Sequence, residues 1–178
     1  MYSSITNWDS LTKEVHLKAE LWQILKASQL CQPTKLNRIN NHTMDKIKIQ
    51  AIISAGKQKV WDYYTQPKHI TQWNFANQGW HCPAASNDMK IGGRYIARME
   101  AKDASFGFDF DATYIEIKDG QSFTYAFGER YATVEFTEQQ GGVELTITFD
   151  PETENPIELQ QQGWQAILDN FKKYTETN

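Results

Sequence analysis

Several things are scarce in this chain. Only two cysteines occur in 178 residues, Cys31 and Cys82, far apart and with no CxxC pair. They make no disulfide framework, and the simplest compartment for them is a reducing cytoplasm. No apolar stretch approaches about 18 residues, so no segment reads as a membrane span. The first residues lack the basic start and apolar run of a secretory signal. Net charge is −4 and no long basic run exists, so nucleic acid is not expected as a partner. GxGxxG, GxxxxGK[ST] and GxSxG are all missing, which leaves no phosphate loop and no nucleophile elbow.

What the chain has is rings. Aromatic residues make up 13% and hydrophobic residues 40%, a globular composition. The length suits one domain with a real core, or one domain plus an extension. Residues 1–43 read differently from the rest, with a net charge of +2 against −6 for the remainder. A helix is expected from Ser10 to Leu30, broken by Gln32-Pro33-Thr34 and followed by a polar, Asn-rich linker. Met44 follows at once. The expectation is that residues 1–43 are a dispensable extension and that 44–178 form the domain. The competing reading is a helix that docks on the domain or on a partner.

From Lys46 to Ile53 the pattern alternates, with Ile47, Ile49, Ala51 and Ile53 on one side, as in a half-buried strand. Two short helices follow. Lys57–Thr65 presents Val60, Trp61 and Tyr64, and a second helix opened by Pro67 presents Ile70 and Trp73. Phe75 to Asn87 reads as an aromatic-rich loop, with one more strand possible around Trp80. Five alternating stretches come next, built on Tyr95/Ala97/Met99, Phe106/Phe108/Phe110, Phe123/Tyr125/Phe127, Ala132/Val134/Phe136 and Val143/Leu145/Ile147/Phe149. Asp119-Gly120 and Gly141-Gly142 mark turns between them. The chain closes with a long helix. Asn155-Pro156-Ile157-Glu158 has the form of a capping box, Trp164, Ile167, Leu168, Phe171 and Tyr174 make an apolar stripe, and Gln161, Gln162, Gln165 and Asp169 face water. Lys172 and Lys173 are expected in the last turn, complementing the helix dipole. The fold class is α+β: a curved antiparallel sheet of six to seven strands gripping the closing helix, with two short helices after the first strand.

Each candidate for chemistry has a plainer reading. Gly92-Gly93 enters a strand and marks a turn or bulge. His81 and Cys82 are adjacent and point to opposite strand faces, so they do not share a metal. Asp109 and Asp111 lie on one strand face about 7 Å apart, a separation that a glycosidase pair would fit loosely, but pairing with Arg98 on the preceding strand explains them better. No catalytic residue, metal or cofactor is indicated.

The order of these features over residues 46–175 resembles the activator of heat-shock protein ATPase homologue family, within the START-like (SRPBCC) helix-grip superfamily. The features are Val60-Trp61, Pro67, Ile70 with Trp73, Trp80 and Pro83, Asp88 with Gly92-Gly93, and Gly163-Trp164 with Ile167-Leu168, Phe171 and Tyr174. The resemblance implies a cavity between sheet and helix that takes a small hydrophobic or amphipathic molecule. Some relatives stimulate a chaperone ATPase, but with a separate N-terminal domain for which residues 1–43 leave no room. A chaperone-modulating interaction module and a cyclase- or hydrolase-type enzyme are the alternatives. The expected ligand-binding residues are Trp73, Phe75, Trp80, Tyr95, Phe108, Phe110, Tyr125 and Phe171. The mouth is expected near Phe75 and Trp80, with Tyr95 or Tyr125 orienting a polar group. A hollow of about 300 Å³ or more favours ligand binding, and a filled core favours the interaction module.

Overall fold

The computed structural model describes residues 45–178. The helix expected at 10–30 and its linker lie outside the described residues. β1 (Ile47–Ile53) is followed by α1 (Lys57–Thr65) and α2 (Pro67–Trp73). Then come β2 (Trp80–Asn87), β3 (Arg94–Ala101), β4 (Gly107–Lys118), β5 (Ser122–Phe127), β6 (Arg130–Gln139) and β7 (Gly142–Phe149). The chain ends in α3 (Ile157–Thr177). All seven strands form one antiparallel sheet in the order β1-β7-β6-β5-β4-β3-β2. Short hairpins join β2 through β7 in sequence. Only β1 is placed out of order, beside β7.

The period-two pattern decides which face is inside. Ile147 and Phe149 of β7 stand in register with Ile49 and Ile47 of β1, and all four are buried. Two bulges shift the pattern. In β2 the register slips between His81 and Ala84, so Trp80 and Cys82 point in while Pro83 and Ala84 are exposed. In β4 it slips between Tyr114 and Glu116, which leaves Ile115 outside and returns Ile117 inward. The stretch expected as a loop to Asn87 is therefore a strand from Trp80 onward. Pro83, which cannot donate to a ladder, sits in the bulge of this edge strand, where no donor is needed.

Gly92 and Gly93 serve the β2–β3 turn. Gly92 has φ +79°, and a Cβ on Gly93 would lie 2.0 Å from the Asp88 carbonyl oxygen, so no other residue fits there. On the convex face Arg98 stands opposite Asp109 and pairs with it at 3.5 Å, while Arg94 reaches diagonally to Asp111. The two aspartates are cross-strand ion-pair partners.

The closing helix departs from expectation at both ends. Its N-cap is Pro156, which makes no side-chain cap. Asn155 instead donates its side-chain amide to Glu152 at 2.8 Å, and the Glu152 carboxylate also accepts from the Asn155 backbone N–H. Asn155 thus lies one residue before the N-cap and is tied to Glu152 through its donor groups. The helix also runs to Thr177, three residues past Tyr174, which moves Lys172 and Lys173 out of the last turn. Lys172 bonds the Ile52 carbonyl oxygen and Glu176.

Nor is the glutamine face simply wet. Gln161 and Gln165, one turn apart, point their amides at the Lys48 and Gln50 carbonyl oxygens, each at 3.4 Å. Glu176 accepts from the Ser54 backbone N–H at 2.8 Å. These side chains cover the free edge of β1, whose backbone groups would otherwise template pairing with another chain. Beneath them, Leu168 and Phe171 are fully buried, and so is Gln160, which bonds the Glu152 backbone and the Asn155 carbonyl.

Candidate functional site

Between α3 and the concave face of β3–β5 the interior does not close. A cavity of about 60 Å³ remains there. Its walls come from the ends of α1 and α2 (Tyr64, Trp73, Asn74), from the sheet (Tyr95, Met99, Phe108, Phe110, Tyr114, Phe123, Tyr125, Ile147) and from α3 (Trp164, Ile167, Leu168). Parity brings the rings together. Phe108, Phe110 and Tyr114 share one face of β4, and Phe123 and Tyr125 share one face of β5. Their contacts are mostly edge-to-face, such as Phe110 with Tyr125 at 6.0 Å and Tyr114 with Phe123 at 5.4 Å. Rigid rings in that geometry on a curved sheet leave gaps that aliphatic side chains fill.

Of the eight expected residues, Trp73, Tyr95, Phe108, Phe110 and Tyr125 stand on the cavity wall. The other three lie elsewhere. Phe171 is buried below, edge-on to Tyr64 and Trp73. Trp80 packs edge-on against Phe108 from the outer strand. Phe75 is half-buried in the α2–β2 loop, and its carbonyl is held by Asn170 at 2.7 Å. Wall residues not anticipated from sequence include Tyr64, Asn74 and Tyr114. Tyr114 had a signal, since it shares parity with Phe108 and Phe110. Asn74 had none, because a polar residue after a short helix reads as a cap.

Trp164 is half-buried, not wholly buried. Its ring stacks on Phe149 at 4.1 Å and 15°, and the rest of it faces the hollow. Tyr64, Tyr95, Phe110 and Ile167 are likewise half-buried in the middle of the fold, because the surface they keep is cavity wall.

The polar character of the wall comes from phenols and one amide. Asn74 Nδ2 donates to Tyr95 Oη at 2.9 Å. Burial, first, and the nearby Tyr114 hold the Tyr64 hydroxyl above its ordinary pKa. Burial and neighbouring tyrosines do the same to Tyr125 and Tyr95, and burial raises Tyr114 against an opposing hydrogen bond from Asn87. All four phenols therefore stay protonated across physiological pH and act as neutral hydrogen-bond donors. Among the described residues no Asp, Glu, Lys, Arg, His or Cys lines the cavity. Cys82 lies nearby but is buried, donates to the Ala84 carbonyl at 3.4 Å, and is pushed up to about 11 by burial. Among the described residues no group of His, Cys, Asp and Glu is arranged to hold a metal ion.

A curved seven-stranded antiparallel sheet wrapped on a long C-terminal helix, with two short helices after the first strand and a hollow between, defines a START-like helix-grip domain. The family model described as Activator of Hsp90 ATPase homolog 1-like protein matches residues 54–176, and the chain belongs to that family. It is similar to the AHSA1-like protein from Aeromonas hydrophila, known from a solution structure: 38% identity over 74% of this chain and 92% of that one, TM-score 0.71. It is also similar to a protein from Cytophaga hutchinsonii at 44% identity, over 75% and 93% of the two chains, TM-score 0.65. A Chromobacterium violaceum protein shares the fold at 21% identity, over 75% of this chain and 99% of that one, TM-score 0.66. No curated protein matches the chain.

Proposed function

We propose that this domain binds a small, uncharged, largely apolar molecule in the cavity between α3 and the tyrosine-bearing strands. One observation carries the reading: the Tyr64 and Tyr125 hydroxyls make no hydrogen bond within the described residues. Buried polar atoms in a finished core nearly always have partners. Phenol oxygens turned into a hollow are what a binding site presents before its ligand arrives. The described residues of the wall offer no carboxylate, imidazole or thiol, which supports binding over proton-transfer chemistry. A buried thiol at Cys82 suits a reducing cytoplasm.

The volume limits what enters without movement. About 60 Å³ holds roughly four to six water-sized bodies, well below the roughly 300 Å³ of sites for drug-sized ligands. A larger guest requires the half-buried rim of α3, Trp164 and Ile167, to shift. The small volume also favours a second reading, the chaperone-modulating interaction module that the family's description suggests.

Native mass spectrometry of protein purified from its own host, together with uptake of a fluorescent apolar probe, separates the two. Under the binding reading a small molecule co-purifies, the probe saturates at one site, and Phe108→Ala or Tyr125→Ala weakens it at unchanged fold. Neither co-purification nor uptake would leave the interaction module. We also propose that 44–178 is the autonomous unit, so that a chain starting at Met44 melts within about a degree or two of the full chain. A loss of several degrees would mean that residues 1–43 pack on the domain.

A further inference from the structure

Resting on the binding reading, we propose that the cavity selects a neutral ligand carrying a hydrogen-bond acceptor of carbonyl type, seated against the Tyr125 and Tyr64 hydroxyls. The argument counts donors and acceptors. Tyr125 is only 4% exposed, and its hydroxyl has no partner among the described residues. The Tyr64 hydroxyl is in the same position. Neither oxygen is sealed in the way that Asn87 Oδ1 and Thr175 Oγ1 are, so each faces the hollow. No hydrogen bond joins any two of Tyr64, Tyr95, Tyr114 and Tyr125. Tyr95 receives the Asn74 amide on its oxygen, which frees its own proton.

At least three phenol protons thus lack a protein acceptor among the described residues. Apart from the hydroxyl oxygens themselves, Asn74 Oδ1 is the one strong side-chain acceptor among the described residues of the wall. A ligand oxygen with two lone pairs takes two such protons at once, while an amine or alcohol proton would compete with them. Charge is selected against as well. Among the described residues no ionised side chain lines the cavity to pair with a carboxylate or an ammonium, and an unpaired charge there costs far more than these hydrogen bonds return. The class is a compact ketone, ester, quinone or lactone with an apolar body against Phe108, Phe110 and Trp164, seated once Trp164 and Ile167 have shifted to admit it.

Acetophenone and α-methylstyrene test this, since they differ only in C=O against C=CH₂. Each is titrated into the wild-type protein, Tyr125→Phe and Tyr64→Phe, and followed by amide chemical shifts. Both variants remove a hydroxyl that has no partner, so the fold should survive; the amide spectrum checks this, and either variant alone carries the test. The expected result is that the ratio of acetophenone to α-methylstyrene affinity falls about tenfold in a variant, one hydrogen bond's worth. The bound carbonyl stretch should lie at lower wavenumber in the wild type and move back in the variant.

If both probes bind and neither variant changes the ratio or the stretch, the acceptor inference is overturned while the binding reading stands. Preferential binding of benzylamine or benzoate also overturns it. If neither probe binds, the binding reading falls and takes this inference with it.

Discussion

The two halves of the interior are built from the same alternating pattern and end differently. Under β1, β6 and β7 the inward residues are mostly aliphatic, Ile47, Ile49, Ile53, Ala132, Val134, Val143, Leu145 and Ile147 with Phe136 and Phe149 among them; all are buried, and of these Ile147 alone stands on the cavity wall. Under β3, β4 and β5 they are Tyr95, Phe108, Phe110, Tyr114, Phe123 and Tyr125, and there the cavity opens. Branched aliphatic side chains adapt to fill the space between strands, whereas the rigid rings of β3 to β5 leave a gap where several of them converge. The first half supplies stability, and the second exchanges some of it for room and hydroxyls.

Leu145→Ala should separate the halves most sharply. Leu145 is fully buried in β7, and its truncation should cost about 2–5 kcal/mol in chemical denaturation. A loss under about 1 kcal/mol would mean that the aliphatic half is loosely packed too. Trp164→Ala, on the boundary, should cost about 2–3 kcal/mol, less than a fully buried tryptophan, because part of its ring already faces the hollow. An equal or larger loss than for Leu145→Ala would remove the distinction.

A third expectation concerns acid. His69 lies where α1, α2 and α3 meet, stacked on Tyr63 at 3.8 Å, with Nδ1 2.8 Å from Tyr174 Oη. Burial and Lys68 lower its pKa against an opposing pull from Asp62, with Lys59 over the Tyr63 ring adding a further nearby cation. The folded-state pKa therefore lies below the unfolded value of about 6.5, and the unfolded chain binds the proton first. This contribution is fully present above pH 6.5 and declines as pH falls through that value. The melting temperature should drop slightly between pH 7.5 and 5, and His69→Gln should flatten that part of the profile. An unchanged slope in the variant would assign the acid loss to other groups.

The smallest effect is expected from Tyr125→Phe, within about 0.5 kcal/mol of wild type in denaturation, because the hydroxyl it removes has no partner to strand. A loss above about 1.5 kcal/mol would show a hydrogen bond that the wall does not display.

The sequence was informative where one side chain's position follows from its neighbours in the chain. Alternation located β3 to β7 and their inward faces, and the Trp164-to-Tyr174 spacing located α3. Even locally it missed one arrangement: Asn155 has the form of a helix cap, but the helix takes Pro156 as its N-cap and the Asn155 amide goes to Glu152, three residues before it. It was silent where two distant groups compete. Gln161 and Gln165 look solvated until β1 arrives beneath them. The bulge at Pro83 turned an apparent loop into an edge strand. At the site, parity grouped Phe108, Phe110 and Tyr125, but Asn74 meets Tyr95 across 21 residues with no local sign of it. Nor does alternation distinguish a filled half from a hollow one. The chemical nature of the inward residues does, and it gave the possibility of a cavity without its size.

The central claim is that the room for a guest lies against the tyrosine-bearing strands and reaches the aliphatic strands at Ile147. Toluene titrated into the protein, followed by backbone amide shifts, tests it most directly. The account predicts saturation at one equivalent, with perturbations concentrated at Tyr95, Phe110, Tyr125 and Trp164 and absent from Ile49, Val134 and Leu145. Shifts that never saturate, or that fall equally on both halves, would contradict it.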